Sequence, residues 1–102
     1  MSVSLQVIYP VAEGTTFDFD YYGATHMGLV GEHMGSHIQS SVVAKGIAGG
    51  PDVPAGFHAI ATLVFADQDA LNAAMKASAP VMADIPNFTN IQPTVLIGEV
   101  IG

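Results

Sequence analysis

Three side chains of this 102-residue chain could together move a proton: His26, Tyr22 and Asp84. An imidazole exchanges protons near neutral pH, which suits it to general acid or base catalysis. Tyr22 precedes His26 by one helical turn, so its hydroxyl could reach the same cavity. Asp84 has apolar neighbours in the sequence, and a carboxyl group in such surroundings can have a raised pKa and exchange protons itself. We therefore take these three residues as the candidate catalytic group.

Each of the three also has a structural interpretation. His26 could be a core or interface histidine held by a single hydrogen bond. Tyr22 belongs to an aromatic run that could anchor the start of a helix; its other members are Phe17, Phe19 and Tyr21. Asp84 could cap a turn or accept hydrogen bonds from the polar residues that follow it, which are Asn87, Thr89 and Asn90. The sequence leaves both interpretations open.

The other histidines give weaker signals. His33 and His37 are four residues apart, a spacing typical of metal ligands on one helix, but Gly35 predicts that the helix ends between them. Glu32 is adjacent and no third ligand is evident, so we predict no metal site. His58 could face a cavity, although a lone histidine on a strand is more often structural.

Composition excludes several classes of protein. The chain has no cysteine, which rules out disulfides, thiolate metal sites and cysteine nucleophiles. Lys45 and Lys76 are its only lysines, it has no arginine, and nine acidic residues give a formal net charge of −7. Two lysines cannot neutralise a row of phosphates or pair with haem propionates, so we predict no nucleic-acid binding, no haem and no attraction to anionic membranes. The sequence also lacks a phosphate-binding glycine loop and a Gly-x-Ser-x-Gly motif.

The shortage of charge also bears on the surface of the protein. Half of the residues are hydrophobic and 11% are charged, whereas folded domains average about 25% charged residues. No apolar run approaches the ~20 residues of a membrane span, and the first residues lack the basic segment of a signal peptide, so we expect a cytoplasmic protein. The composition argues against disorder. A folded chain with so little charge suggests that part of its surface is covered in a homo-oligomer.

Hydrophobic periodicity predicts four strands and two helices within a single domain spanning residues 1–102. Alternating apolar residues predict strands, the first of them ended by Pro10. Apolar residues at steps of three or four, following acidic caps, predict helices. The predicted strands are residues 3–9, 37–47, 57–65 and 93–100, and the predicted helices are residues 18–35 and 67–79. The segment 84–90 is expected to be an irregular connection.

This order, β-α-β-β-α-β, is that of a ferredoxin-like α+β sandwich, in which two helices cover one face of a four-stranded antiparallel sheet. One face of the third strand would consist of Phe57, Ala59, Ala61, Leu63 and Phe65. Neither face of that strand is clearly polar, so the outer face of the sheet needs a cover. We expect a second copy of the chain to supply it. The acidic residues should then lie on the helical side.

Four stretches of the sequence form a specific pattern. They are Tyr-Pro at 9–10, Gly-Thr-Thr-Phe-Asp-Phe-Asp-Tyr-Tyr at 14–22, Thr-His-Met at 25–27 and Ala-Asp-Ile-Pro-Asn-Phe-Thr-Asn at 83–90. With shorter matches at 66–67 and 98–99, this pattern resembles the EthD family over nearly the whole chain. His26, Tyr22 and Asp84 match the family pattern. Gly28 departs from it, because the family usually has proline there, and we expect this glycine to loosen the helix locally.

The resemblance implies a dimeric α+β barrel, in which two ferredoxin-like subunits place their sheets face to face. The family is named for a component of a bacterial ethyl tert-butyl ether degradation cluster, where it accompanies a haem monooxygenase system. Related barrels include cofactor-free monooxygenases, lactone isomerases, dehydratases acting on polyketides and haem-degrading enzymes. The resemblance therefore specifies the fold more narrowly than the reaction.

Two functions fit these residues. In the first, a small apolar ligand binds in the barrel cavity, His26 exchanges a proton with it, and Tyr22 or Asp84 orients the ligand or the imidazole. The reaction would be a cofactor-free isomerisation, dehydration or oxygenation of an enolisable compound during the degradation of small organic molecules. In the second, the protein is a non-catalytic module that hands on a ligand or assists a partner oxygenase. We expect neither a metal nor an organic cofactor in either function.

Overall fold

The computed structural model describes all 102 residues and contains a four-stranded antiparallel sheet in the order β2-β3-β1-β4. The strands are β1 (Val3–Pro10), β2 (Ser40–Lys45), β3 (Phe57–Phe65) and β4 (Thr94–Glu99). The helices are α1 (Phe19–Tyr21), α2 (Met27–Met34), α3 (Gln68–Lys76) and α4 (Ala79–Asp84), with a π-helical turn (Tyr22–His26) and 3₁₀ turns (Gly35–His37 and Ile85–Asn87). The predicted ferredoxin-like α+β fold is confirmed.

The central strands follow the predicted alternation. β3 has its predicted bounds, and Leu5 of β1 lies opposite Leu63 of β3 and Ile97 of β4. Leu5 and Leu63 are both buried beneath the helices. Phe57 is the exception on the inner face of β3, because it is 46% exposed. The register of β1 against β3 shifts between Tyr9 and Pro10, which takes Phe57 out of the alternation.

The outer strands are shorter than predicted. β2 was expected over residues 37–47, but residues up to 37 form the 3₁₀ turn that ends the first helical region, and the strand begins at Ser40. β4 was expected over 93–100 and spans Thr94–Glu99. Pro93 has no N–H to give to the sheet, which explains its exclusion.

The helix predicted over residues 18–35 is interrupted. Asp18 caps its start by accepting a hydrogen bond of 3.1 Å from the backbone N–H of Tyr21, and Gly35 ends α2 as predicted. Between them the chain widens into a π-helical turn, in which the N–H of Met27 donates to the carbonyl of Tyr22, five residues back. Such turns are rare and often lie at functional sites. The local loosening expected at Gly28 is instead found in the turn before it.

The second helical region is also divided. Asp67 caps α3 through a 2.8 Å hydrogen bond from the N–H of Ala70, but α3 ends at Lys76 rather than 79. Pro80 then lies in the first turn of α4, where its missing N–H breaks no helical hydrogen bond. Met75 of α3 is 39% exposed, whereas Leu71 and Ala74 of the same helix are buried. Residues 84–87, expected to be irregular, complete α4 and form a 3₁₀ turn. No helix has the length and hydrophobicity needed to cross a membrane.

Two hydrophobic clusters lie between the sheet and the helices. The first is aliphatic around Phe65, and its buried members are Leu5, Val30, Met34, Leu63, Phe65, Leu71, Ala74 and Val81. The second is aromatic around Tyr9, and its buried members are Tyr9, Tyr22, Ala59, Ile85, Phe88 and Ile91. Tyr9 contacts the rings of Phe17, Tyr22 and Phe88 edge to face, at centroid distances of 5.1, 6.2 and 5.8 Å. Such pairs stabilise by about 0.5–1.5 kcal/mol beyond area burial, so this cluster fixes the end of the fold that carries the π-helical turn.

The opposite face of the sheet has no charged side chain. By strand register it consists of Ser4, Gln6, Ile8, Ser40, Val42, Ala44, Ile60, Thr62, Val64, Thr94, Leu96 and Gly98, which we call the outer face. Its edge residues Val42 and Leu96 are 67% and 54% exposed, and the Gln6 amide donates to the Thr62 hydroxyl across its centre. Six of the nine acidic residues instead lie in or cap helices: Asp18, Asp20, Glu32, Asp67, Asp69 and Asp84.

Candidate functional site

His26 lies at the end of the π-helical turn and is only 4% exposed. Its ring stacks on Tyr22 at a centroid distance of 5.2 Å and contacts Phe88 at 4.6 Å. Tyr22 is therefore beside His26 as predicted, but it makes contact through its ring and not through its hydroxyl. The two aromatic rings hold the imidazole in one orientation, because both are themselves buried in the aromatic cluster.

Asp84 faces His26 from the other crossover of the fold. His26 Nδ1 lies 3.0 Å from Asp84 Oδ2 in a buried contact. The second carboxylate oxygen, Oδ1, accepts a 2.6 Å hydrogen bond from the Tyr21 hydroxyl and a 3.0 Å hydrogen bond from the Asn87 amide. Asp84 is 7% exposed. The carboxylate is thus held by three side chains, one of which is the imidazole.

The pKa of Asp84 is lowered, which favours the hydrogen-bonded interpretation of this residue over the raised pKa that apolar neighbours can produce. The Tyr21 hydroxyl is the main cause, since it donates to the charged form, and Asn87 and His26 add to it against the opposing effect of burial. Sequence reasoning missed Tyr21 as a partner, because only the fold brings it to the C-terminal end of α4. Asn87 was one of three anticipated partners, and the i, i+3 spacing from Asp84 was its signal.

The pKa of His26 is lowered as well, because burial disfavours the imidazolium more than Asp84 favours it. At neutral pH His26 is therefore neutral beside an ionised carboxylate. A carboxylate only accepts hydrogen bonds, so Nδ1 carries the ring proton and Nε2 has a free lone pair. This Asp–His arrangement is that of a general base with its orienting carboxylate.

A cavity of about 40 Å³ lies beside His26, between the sheet and the helices. It is lined mostly by apolar side chains, which are Leu5, Val7, Met27, Val30, Met34, Ala61, Leu63, Val81, Met82 and Ile85. The polar residues that line it are Tyr9, Tyr22, His26 and Ser78. Met82 is 45% exposed, so it stands between the cavity and solvent. The arrangement places a buried base beside a small apolar cavity.

Thr89 and Asn90, the other polar candidates near Asp84, form hydrogen bonds to the loop of residues 14–16. The Thr89 hydroxyl donates to the carbonyl of Thr16 at 2.6 Å. The Asn90 side chain accepts from the N–H of Thr16 and donates to the carbonyl of Gly14. These bonds tie residues 14–16 to the segment that follows Asp84. They therefore support the site without entering it.

The other histidines lie apart from this site. His33, at the end of α2, is 3.9 Å from Glu32, and His37 follows in the 3₁₀ turn. His58 lies 3.0 Å from the Thr15 hydroxyl and stacks on Phe17. No three histidine or acidic side chains come together in a group that could hold a metal ion.

Comparisons with known proteins agree with this fold. Residues 14–92 match the EthD domain model. An EthD-like protein from Ralstonia eutropha JMP134 is 34% identical, with a TM-score of 0.88 over 99% of this chain and 93% of that one. An ethyl tert-butyl ether degradation (EthD) family protein from Bacillus halodurans C-125 is 25% identical, with a TM-score of 0.78 over 99% of this chain and all of that one.

A more distant structure shows the same architecture. A DABB family protein with a ferredoxin-like fold from Mesorhizobium loti MAFF303099 is 11% identical, with a TM-score of 0.58 over 99% of this chain and 98% of that one. No protein of curated function matches the sequence. The family model covers most of the chain, including His26 and Asp84. The chain belongs to the EthD family.

Proposed function

We propose that this protein binds a small, largely apolar, enolisable molecule beside His26 and moves a proton on it, as a step in the breakdown of small organic compounds. The hydrogen bond between His26 Nδ1 and Asp84 Oδ2 is the observation that carries this proposal. It directs the free Nε2 of a neutral imidazole away from the carboxylate. The connection to small organic compounds rests on the ether-degradation family to which the Bacillus halodurans relative is assigned.

The lining of the cavity supports an apolar ligand. Its charged or readily ionised groups are limited to the imidazole, and no arginine or lysine lines it. Methionines 27, 34 and 82 contribute to the wall. Their unbranched side chains change rotamer at low cost, so the cavity can enlarge around a ligand bigger than the few waters that about 40 Å³ admits.

The site also suits a cofactor-free mechanism. Proton abstraction next to a carbonyl needs a base and a means to hold the resulting charge, and a dry, preorganised pocket strengthens both. The base has the required protonation state at neutral pH, because its pKa is lowered by burial. The reaction would be an isomerisation, a dehydration or the first step of an oxygenation.

We further propose that a second copy of the chain covers the outer face and forms a homodimer. Three observations support this assembly: the face has no charge, its edges expose Val42 and Leu96, and its central polar pair is satisfied internally by the Gln6–Thr62 hydrogen bond. An uncharged sheet face whose edges expose large apolar side chains is typical of an interaction site.

A non-catalytic role remains the second candidate, and the small cavity favours it. The protein would then carry a ligand or assist a partner oxygenase, and its net charge of −7 suits a basic partner. Affinity capture at moderate and high salt separates the two roles. A salt-sensitive oxygenase partner supports the accessory role, and recovery of the chain alone counts against it.

The experiment for proton transfer is hydrogen–deuterium exchange at the α-carbons of small cyclic ketones in D₂O, followed by NMR. We expect the protein to accelerate exchange and His26→Ala to abolish the acceleration without unfolding the chain. His33→Ala, a change at a more exposed histidine outside the site, is the matched control. Exchange that is unaffected by His26→Ala, or no acceleration by the wild-type protein with any enolisable ketone, would rule out this function.

A further inference from the structure

Two buried tyrosines on the cavity wall have hydroxyl groups that the protein does not use. Tyr9 is 1% exposed and Tyr22 is 4% exposed. Both line the cavity with His26. The hydroxyl of Tyr21, by contrast, is bonded to Asp84. Tyr9 and Tyr22 take part in the aromatic cluster through their rings alone.

Neither hydroxyl is fully sealed from solvent. Every side-chain nitrogen or oxygen that is sealed from solvent has a hydrogen-bond partner in this structure. The Tyr9 and Tyr22 hydroxyls have none, so they are not sealed, yet both residues are almost completely buried. Both residues line the cavity, which is the space beside them that a ligand could occupy. Each phenol therefore keeps a free donor, which an acceptor on a ligand can engage in place of water.

Both hydroxyls are donors at any physiological pH. Burial raises the pKa of Tyr22 to about 12. Burial raises the pKa of Tyr9 still further, and the neighbouring Tyr22 adds to the effect. His26 lines the same cavity, and its Nε2 remains an acceptor because Nδ1 is the nitrogen that faces Asp84. The cavity therefore combines two neutral donors with one base.

We infer that Tyr9 and Tyr22 form a donor pair that binds the carbonyl oxygen of the ligand, which makes the substrate class a compact ketone or related carbonyl compound with an acidic α-hydrogen. This inference rests on the proposed function, and it adds the group that recognises the ligand. Neither tyrosine hydroxyl is hydrogen-bonded to another residue, so each would bind the ligand directly.

The donor pair has a defined part in proton transfer. His26 Nε2 takes the α-proton, the electron pair of that C–H bond becomes the C=C bond of the enolate, and the carbonyl π electrons move onto oxygen. The oxygen then carries the negative charge between the two phenol O–H groups. Return of the proton from His26 to the enolate carbon restores the neutral imidazole and the ketone. Hydrogen bonds to a charged oxygen are about twice as strong as those to a neutral one, so the pair stabilises the enolate more than the ketone.

The test uses two probes of nearly identical shape, cyclopentanone and methylenecyclopentane, which differ by an oxygen in place of a CH₂ group. Binding is followed by NMR of ¹³C-labelled methionine methyl groups in the wild-type protein and in Tyr9→Phe, Tyr22→Phe and the double variant. We expect the wild-type protein to prefer the ketone and each single variant to lose roughly fivefold of that preference, the value of one ordinary hydrogen bond. Affinity for the hydrocarbon should not change.

Tyr21→Phe is the matched control, because it removes a hydroxyl that does not line the cavity. It should leave the preference for the ketone intact. Circular dichroism verifies that each variant is folded, and either single variant suffices if the other does not fold. Equal preference in the wild-type protein and the folded tyrosine variants, or no preference in the wild-type protein, overturns the inference.

The same samples separate this inference from the proposed function. If the tyrosines determine the preference but cyclopentanone does not exchange its α-hydrogens, the donor pair stands and proton transfer by His26 is wrong. If exchange depends on His26 but the preference does not depend on the tyrosines, the base stands and the donor pair is wrong.

Discussion

His26 and Asp84 lie 58 positions apart in the sequence and meet through a single buried contact of 3.0 Å between Nδ1 and Oδ2. Because the carboxylate can only accept, this contact selects one tautomer of the imidazole. It also holds His26 neutral and Asp84 ionised, and acid would protonate both groups. Several measurable properties of the protein depend on it.

Acid should destabilise the protein in two steps. The pKa of His26 is lowered from 6.5 in the folded state, so the unfolded chain binds more protons and the free energy of unfolding falls as pH drops below about 6.5. The pKa of Asp84 is lowered from 3.8, so its contribution is present above that pH and is lost below it. Urea unfolding at pH 7, 6 and 5 should reveal the first step, which His26→Gln should reduce and His33→Gln should not. An unchanged pH dependence in His26→Gln would contradict this assignment.

Removing the charge of Asp84 should lower the pKa of His26 further. Asp84→Asn deletes the carboxylate that favours the imidazolium, and burial then acts without opposition. The variant should also lose about 1–3 kcal/mol of unfolding free energy, since three donors lose a charged acceptor. Titration of the His26 ring by ¹⁵N NMR measures the pKa, and urea unfolding measures the stability. A rise in the pKa of His26 would show that Asp84 does not act on it as described.

Tyr21→Phe should raise the pKa of Asp84. The Tyr21 hydroxyl is the main cause of its lowered pKa and donates over 2.6 Å. Tyr22→Phe keeps all three donors to Asp84 and serves as the control. Carboxyl ¹³C NMR follows the titration in both variants. A pKa that shifts equally in the two variants would assign the effect to packing and not to the hydrogen bond.

Gly28→Ala should stabilise the protein by about 0.5–1 kcal/mol, because glycine is a poor helix former and an added methyl group meets nothing within 4 Å. Gly46→Ala is the opposite case, since its methyl group would collide with the carbonyl oxygen of Phe57. Urea unfolding should therefore move in opposite directions in the two variants. Destabilisation by Gly28→Ala would mean that α2 needs the glycine for a reason other than space.

The proposed dimer predicts a difference between two neighbours on β4. Leu96 lies on the outer face and is 54% exposed, whereas Val95 points to the other face and is 46% exposed. Leu96→Asp should convert a dimer into monomers, and Val95→Asp should not. Sedimentation velocity at several concentrations distinguishes the two species. A wild-type protein that is monomeric at all of them would remove the basis for the covered outer face.

The sequence predicts the strands well and the helices less well. Alternation over nine residues defines β3, because a strand needs only period-two spacing. The interruption at Tyr22–His26 could not be predicted, since a π-helical turn is a change of hydrogen-bond partner and apolar spacing does not encode it. Likewise, Pro80 can end a helix or begin one, and only the capping of α3 at Ala77 decides the matter.

The sequence identified the candidate site residues but not the contacts between them. His26, Tyr22 and Asp84 were selected from residue type and surroundings, and the fold brings all three into one region. Of the two interpretations of Asp84 that the sequence left open, the structure matches the hydrogen-bonded one, and the pKa is lowered mainly by Tyr21, which the sequence could not place beside it. Tyr9 was predicted as a strand residue and as part of the family pattern, and a role for its hydroxyl is suggested only by the cavity that the residue lines.

His26 and Asp84 come from different halves of the fold, so the site forms only when the two halves pack together. The ferredoxin-like fold consists of two β-α-β halves, and His26 comes from the crossover of the first half while Asp84 comes from the crossover of the second. Neither half alone can hold a neutral, oriented imidazole. The titration of His26 is thus a reporter of the docking of the halves: partial opening of either one returns the histidine to an ordinary solvated base.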